Sequence, residues 1–324
     1  MIRRDAVLGP LAMVLMTAHG NVFPQPNSGK VWRIGFLSES WPRGPWATYP
    51  LTSTGYVEGR DFVFDYKYAQ GQRSRLPTLA AELVANKPDV LLGMLNPEIA
   101  ALKAATTTIP IVMLYASGPV EMGFVSSLAR PGGNITGTTT NVPGMAGKMV
   151  EVLRDAVPAM KRIAWFNDLS YPGINQYAKS FEDAVNRYGL ILQENDVRTR
   201  ADLDLALASL ERQRPDGMGV SMVGVSGERY AQIVDAAARL RIPALYSIRE
   251  PVVAGGLMSY APDFRAMAER NAWQIDRIFK GTKPADIPVE EPARFLLTIN
   301  MKTAKALGLK IPSSILVRAT QVIE

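Results

Sequence analysis

The side chains able to carry chemistry in this 324-residue chain are few in kind: it has no cysteine and one histidine, His19. That composition excludes thiol nucleophiles, disulfide frameworks, iron–sulfur clusters and thiolate metal sites. A Ser-His-Asp triad or a multi-histidine zinc centre would have to use His19 or do without. Phosphate-cradling loops are missing as well. Gly144-Met145-Ala146-Gly147-Lys148 is too short for a G-x-x-x-x-G-K-[ST] loop and lacks its hydroxyl residue. Gly217-Met218-Gly219 falls inside a strand pattern and Gly132-Gly133 follows a helical one, so both read as packing or turn glycines. Gly224-Val225-Ser226-Gly227 has the wrong spacing for a nucleophile elbow. Among carboxylates, Glu290-Glu291 reads as a solvated turn, and Asp202 and Asp204 suit a helix N-terminus. No calcium-loop or clustered metal-ligand spacing occurs. Neither a cofactor nor a metal is expected, and a chain with so little chemistry favours binding over catalysis.

The first residues look like an address rather than part of a fold. Arg3 and Arg4 precede an apolar run from Ala6 to Ala18, and Ala18 and Gly20 are small residues two apart. This is the pattern of a secretory signal peptide over 1–20, with cleavage near Gly20. The run is too short to span a bilayer, which takes about 20 apolar residues. Residues 21–30 are polar and contain proline, which predicts a disordered lead-in. The net charge of +6 is spread without blocks of one sign, as in Glu228-Arg229 and Glu269-Arg270. That is a solvated surface rather than a phosphate-tracking stripe, so no nucleic-acid partner is expected.

What must position any functional residue is a long alternation of strand and helix. Strand patterns fall at 32–37, 89–92, 109–115, 135–139, 162–166, 190–197, 217–222, 243–247, 257–260 and 295–299. Helical patterns fall between them at 74–87, 98–107, 120–129, 146–156, 173–188, 202–213, 228–240, 263–280 and 303–307. Continuous apolar strands alternating with helices predict α/β architecture, with parallel sheets covered on both faces and right-handed crossovers. Two doubly wound lobes fit the length better than one wide sheet, and a closed (β/α)8 barrel is the architectural rival. The irregular stretches 137–145 and 281–294 read as crossings between lobes.

Several segments together carry a family resemblance. They are Gly55-Tyr56-Val57-Glu58-Gly59, Leu76-Pro77 with Leu79-Ala80-Ala81-Glu82-Leu83-Val84, and Ile109-Pro110-Ile111-Val112. The most specific is the run from Ser127 to Gly137, SLARPGGNITG. Ala254 to Tyr260, Asn300 to Gly308, Ile311-Pro312-Ser313 and Arg318-Ala319 follow in order. From about residue 31 to the end, the chain resembles the ABC-transporter substrate-binding proteins whose better-known members bind aromatic amino acids. The resemblance implies a type I periplasmic-binding-protein fold, with two lobes joined by a three-segment hinge and a solute held in the cleft between them. The first lobe would comprise 31–138 plus about 257–290, the second 139–256 plus about 291–324. It also implies a membrane permease and a separate ATPase as partners, and a periplasmic location. Two departures stand out. The segment Ser38 to Thr54 holds Pro42, Pro45 and Pro50 where relatives have a full helix, so Trp41 and Trp46 are expected to pack into a gap. Gly118 stands where relatives carry an acid, which removes one partner for a ligand ammonium.

In open α/β sheets, ligands bind beyond the carboxyl ends of the strands. The expected ligand-binding residues are therefore Ser38, Glu39, Ser40, Asn96, Tyr115 and Ser117 from the first lobe, and Asn167, Asp168, Ser221, Ser247 and Arg249 from the second. Hydroxyls and amides there can hold a polar solute such as an amino acid, and Arg249 could clamp an anion in a bidentate pair. The competing readings are a periplasmic sensor that signals to a membrane partner, and an α/β enzyme working without His or Cys. The absence of a helix-turn-helix ahead of the fold disfavours a DNA regulator.

Overall fold

The computed structural model describes residues 29–40, 42–43, 51–140, 142, 144–221 and 227–324. The expected signal peptide, most of the lead-in, and Trp41 and Trp46 lie outside those residues. In chain order the elements are β1 (Trp32–Ser38), β2 (Phe62–Tyr68), α1 (Leu76–Ala85), β3 (Val90–Gly93), α2 (Asn96–Ala105), β4 (Ile111–Ala116) and β5 (Ile135–Thr139). Then come α3 (Met145–Ala156), β6 (Arg162–Asn167), α4 (Asn175–Arg187), β7 (Ile191–Asp196), α5 (Arg200–Gln213), β8 (Gly217–Val220), α6 (Gly227–Leu240) and β9 (Ala244–Tyr246). The chain finishes with α7 (Glu250–Val253), β10 (Met258–Pro262), α8 (Phe264–Phe279), β11 (Phe295–Asn300), α9 (Met301–Leu307), α10 (Ser313–Leu316) and β12 (Gln321–Ile323).

Two sheets result. The first is five-stranded and parallel, in the order β2-β1-β3-β4-β5. The second is seven-stranded, in the order β12-β11-β10-β9-β8-β6-β7. It is parallel except at β11, which runs antiparallel to β10 and brings β12 with it. Each sheet is buried on both faces, which is why its strands are continuously apolar. In the first lobe, Leu37, Leu91 and Met113 pack on Leu83, Ile99 and Leu102 of α1 and α2, while Ile34, Phe36 and Val112 pack on Ala272, Ile275 and Phe279 of α8. In the second, Trp165 and Leu245 pack on Met149, Leu153 and Phe181 of α3 and α4. Phe166 and Met218 face Leu203, Leu210 and Ile233 of α5 and α6.

Four sequence expectations change. The strand at 258–262 belongs to the second sheet, because Met258 and Ser259 pair with Leu245 and Tyr246 of β9. The second crossing between lobes therefore falls near Asp263 rather than at 257, and only from α8 onward does the chain return to the first lobe. The helix expected at 120–129 is replaced by turns: Met122 N–H reaches Gly118 O and Phe124 N–H reaches Pro119 O, and Gly123 then adopts φ +64°. Strand β2, absent from the expected elements, pairs with β1 over all seven residues from Trp32↔Phe62 to Ser38↔Tyr68. The lead-in also ends earlier than expected, since Lys30 pairs with Asp89 and lies 4.0 Å from the Trp32 ring centroid.

The first and third crossings run beside each other. Glu290 bridges Thr138 and Thr139 at the end of β5, and Arg270 of α8 holds the Glu290 carboxylate with two bonds of 2.7 Å. Gln274 donates from Nε2 to Gly137 O at 2.9 Å, and Asn271 from Nδ2 to Met113 O at 3.1 Å. Gly137 closes the SLARPGGNITG run for a steric reason. Its φ is +138°, and a β-carbon there would lie 2.1 Å from Met113 O. Gly137→Ala is expected to cost about 3 kcal/mol or more, since neither backbone can yield without unpairing β4 from β5. Chemical denaturation of the variant should show a markedly lower midpoint; an unchanged midpoint would refute this account.

Candidate functional site

The parallel strands of the two sheets end toward each other, so the loops that follow them form the facing walls. On the second lobe's wall, Phe166, Val220 and Tyr246 are in register on neighbouring strands. The next residue on each, Asn167, Ser221 and Ser247, therefore forms a row. Ser221 N–H donates to Phe166 O and Ser247 N–H to Val220 O, at 2.9 and 3.1 Å, which extends the ladder by one step. Asn167 and Ser221 have no exposed surface, yet both amide atoms of Asn167 and the hydroxyl of Ser221 have no hydrogen-bond partner. Leaving such groups unmet costs about 1–3 kcal/mol each, and here a pair of them lies side by side. Tyr177, in the first turn of α4, lies beside Ser221 and Ser247, and burial pushes its phenol pKa well up.

On the first lobe's wall most polar groups are already engaged. Asn96 accepts at Oδ1 from Ser117 N–H at 2.8 Å and donates from Nδ2 to Ser117 O at 2.7 Å. The same Nδ2 reaches Pro172 O of the second lobe at 2.8 Å. The Asn96 N–H meets the Tyr171 hydroxyl at 3.2 Å, and the Ser117 hydroxyl donates to Gly173 O at 3.2 Å. The loop 171–173 thus latches the second lobe onto the first. Gly173 fits because it lacks a side chain: its φ is +82°, and a β-carbon would lie 2.6 Å from Ser117 O and 2.8 Å from Asn96 Nδ2.

The remaining expected residues divide. Ser38 is fully buried next to the Tyr66 hydroxyl, whereas Ser40 is exposed. Glu39 takes Arg73 in a 3.0 Å ion pair. Tyr115 packs edge-to-face on Phe264, with centroids 5.1 Å apart, and burial pushes its phenol up to about 12. That pair joins the end of β4 to the start of α8, beside the second crossing. Asp168 closes an Asx turn, accepting from Ser170 N–H and its hydroxyl. Arg249 is exposed and donates from Nε to Gln321 at 2.7 Å, so it forms no bidentate anion clamp here.

Sequence reasoning missed Glu98, Tyr171, Gly173, Tyr177 and Phe264. Glu98 had a signal: it stands three residues after Leu95, and Asn96-Pro97 is a helix start. Its carboxylate accepts from Glu39 N–H at 2.7 Å and from Leu95 N–H at 3.2 Å. Burial outweighs those bonds and raises its pKa to about 7. Tyr171 and Gly173 carry no pattern that distinguishes them from ordinary loop residues.

Comparison with known proteins agrees with this geometry. Residues 48–323 match the family described as ABC transporter substrate binding protein. The chain belongs to that family. It is 25% identical over 260 residues to a tyrosine-binding protein of Clostridioides difficile, covering 80% of this chain and 74% of that one. A solved conserved domain protein of Vibrio cholerae superposes with a TM-score of 0.82 at 25% identity, covering 90% of this chain and all of that one. A Streptococcus pneumoniae ABC domain solved in complex with L-Trp superposes at 0.80 with 26% identity, covering 91% of this chain and all of that one. The family is one of substrate-binding proteins, and its relatives bind solutes rather than transform them.

Two outcomes follow. Gly173→Ala is expected to leave the lobes folded, at a cost of roughly 1 kcal/mol for an L-residue at positive φ. It should nonetheless spring the latch, which small-angle scattering would register as a larger radius of gyration. An unchanged radius would mean that the 171–173 contacts do not hold the lobes together. The second outcome concerns pH. A raised Glu98 pKa means the folded state holds a proton that the unfolded state has lost between about pH 4.5 and 7. The stability from this side chain is present at the acid end of that window and is lost as pH rises through 7, to the extent of roughly 2–4 kcal/mol. Glu98→Gln should therefore gain on the parent by that amount as pH is raised from 5 to 8, measured by urea unfolding at each pH.

Proposed function

We propose that this protein is the exported solute-binding component of an ABC import system, and that it holds an aromatic amino acid in the cleft between its lobes. Family membership supplies the class. The observation that carries the ligand reading is the row at the second lobe's strand ends, where Asn167 and Ser221 are buried with no partner. Those groups can accept from and donate to a polar solute head group. The Tyr115–Phe264 pair supplies an aromatic surface of the kind a ring stacks on. The L-Trp complex and the tyrosine-binding protein among the relatives support the same ligand class.

Delivery to a membrane permease driven by a separate ATPase accounts for a chain with no phosphate loop of its own. The signal-like residues 1–20 support export and a periplasmic location, and among the described residues no helix is long and apolar enough to cross a membrane.

Titration calorimetry of residues 21–324 with the twenty amino acids, nucleosides and small organic acids tests the reading. An aromatic amino acid is expected to bind with a micromolar or tighter Kd. No heat from any amino acid, in protein that melts cooperatively, would sink it. Asn167→Ala should weaken the cognate amino acid by about 10–100-fold, the worth of one or two hydrogen bonds in a dry site. Its melting temperature should not fall, because the substitution removes an unmet buried amide.

A further inference from the structure

We infer that Glu98 makes the cleft selective for solutes bearing an ammonium group, with that group turned toward the first lobe and any carboxylate turned toward the Asn167–Ser221 row. This deepens the solute-binding reading and rests on it.

The first observation is a charge imbalance. Glu98 is 1% exposed and, among the described residues, makes no ion pair. The nearby guanidinium of Arg73 is committed to Glu39 and also feels Asp168 across the interface. Asp168 lies within reach of both Arg73 and Arg198, so of the three carboxylates Glu39, Glu98 and Asp168 it is Glu98 that has no cation paired with it. The internal residues outside the described set, 41, 44–50, 141, 143 and 222–226, include no Lys, Arg or His. No hidden internal side chain balances the charge. A buried carboxylate without a counter-ion is costly, and a cation arriving with the ligand relieves that cost.

The second observation concerns which donors are left for a carboxylate. The backbone N–H groups at the ends of the first lobe's strands are the usual kind of place for an anion, and here the protein fills them itself. Glu39 N–H and Leu95 N–H both point at Glu98, and Asn96 N–H points at Tyr171. The side chains of Asn96 and Ser117 are taken by the latch. A ligand carboxylate would find like charge there and few donors.

The independent pointer to a ligand is on the opposite wall. Asn167 is fully buried with Nδ2 and Oδ1 unpartnered, and the next residue, Asp168, begins the loop that docks on Asn96. Asn167 Nδ2 and the Ser221 hydroxyl are donors with nothing to donate to. One wall therefore offers charge for a cation and the other offers donors for an anion, which fixes the orientation of a zwitterion between them.

The test separates the ammonium from the ring and the carboxylate. Calorimetry at pH 8 would compare L-tryptophan, tryptamine, which keeps the amine, and indole-3-propionate, which keeps the acid, on the parent protein and on Glu98→Gln. In the parent, indole-3-propionate should bind at least 30-fold more weakly than L-tryptophan. In Glu98→Gln that ratio should collapse to within about 3-fold, and Glu98→Asp should restore part of it. Affinity for L-tryptophan in the parent should fall between pH 8 and pH 5.5 as Glu98 takes up its proton, and the Gln variant should be flat over that range. An unchanged ratio in a cooperatively melting Gln variant, or a parent that binds the amine-free acid as well as the amino acid, would overturn the inference. If none of the indole probes binds, a panel of alkyl amines, neutral sugars and organic acids decides. A tight amine would uphold the charge selection and reject only the aromatic reading. A tight sugar or acid would reject the charge selection.

Discussion

A primary amide buried between two domains can satisfy itself only if both domains supply partners, and Asn96 does this with three bonds of 2.7 to 2.8 Å. Two of them tie α2 to the end of β4, and the third crosses to Pro172 in the second lobe. The relative placement of the two sheets follows from that residue and its neighbours. Ser117, fixed by Asn96, donates to Gly173 O, and Tyr171 meets the first free N–H of α2. The geometry tolerates little change, because polar groups withdrawn from water gain only from well-aligned partners. Separating the lobes would return these groups to solvent at little net cost.

The hinge is built on a different principle from the latch. Its three crossings are held by main-chain pairing and by side chains that reach several strands at once. Gln274 and Asn271 span from α8 to β4 and β5, and the Arg270–Glu290 pair clamps the third crossing to α8. Helix α8 leaves the second sheet and at once covers a face of the first. The two lobes therefore share one continuous stretch of chain, which crosses between them near Asp263. The Tyr115–Phe264 contact lies beside that crossing.

The site's electrostatics depend on burial more than on residue choice. Glu98 could be an ordinary cap of a helix N-terminus, and by its bonds to Leu95 N–H it is one. Burial converts it into a group that titrates near neutrality, because desolvation outweighs the hydrogen bonds it accepts. Asn167 and Ser221 would likewise be unremarkable at an exposed strand end; here they are fully buried and unmet.

How much of this was legible in the sequence follows from where each signal resides. Local patterning determined nearly all the strands and helices, because a strand buried on both faces must be apolar throughout and a covering helix must show its stripe. Composition excluded thiol and multi-histidine chemistry outright, and the SLARPGGNITG run carried the family. Strand ends named the row Asn167, Ser221 and Ser247, since sheet geometry alone sends residues there. The sequence could not decide which sheet β10 joins, because 258–262 is equally apolar for either, and pairing with Leu245 and Tyr246 chose the second. Strand β2 is written in the alternation of Phe62, Phe64, Tyr66 and Tyr68 with Val63, Asp65 and Lys67, but its place beside β1 comes only from the pairing of Trp32 to Ser38 with it. The sequence treats Asn96, Ser117 and Arg249 alike as polar loop residues. Only the tertiary structure engages the first two in the latch and turns the third to Gln321, because hydrogen-bond partners far apart in the chain are fixed by how the lobes meet.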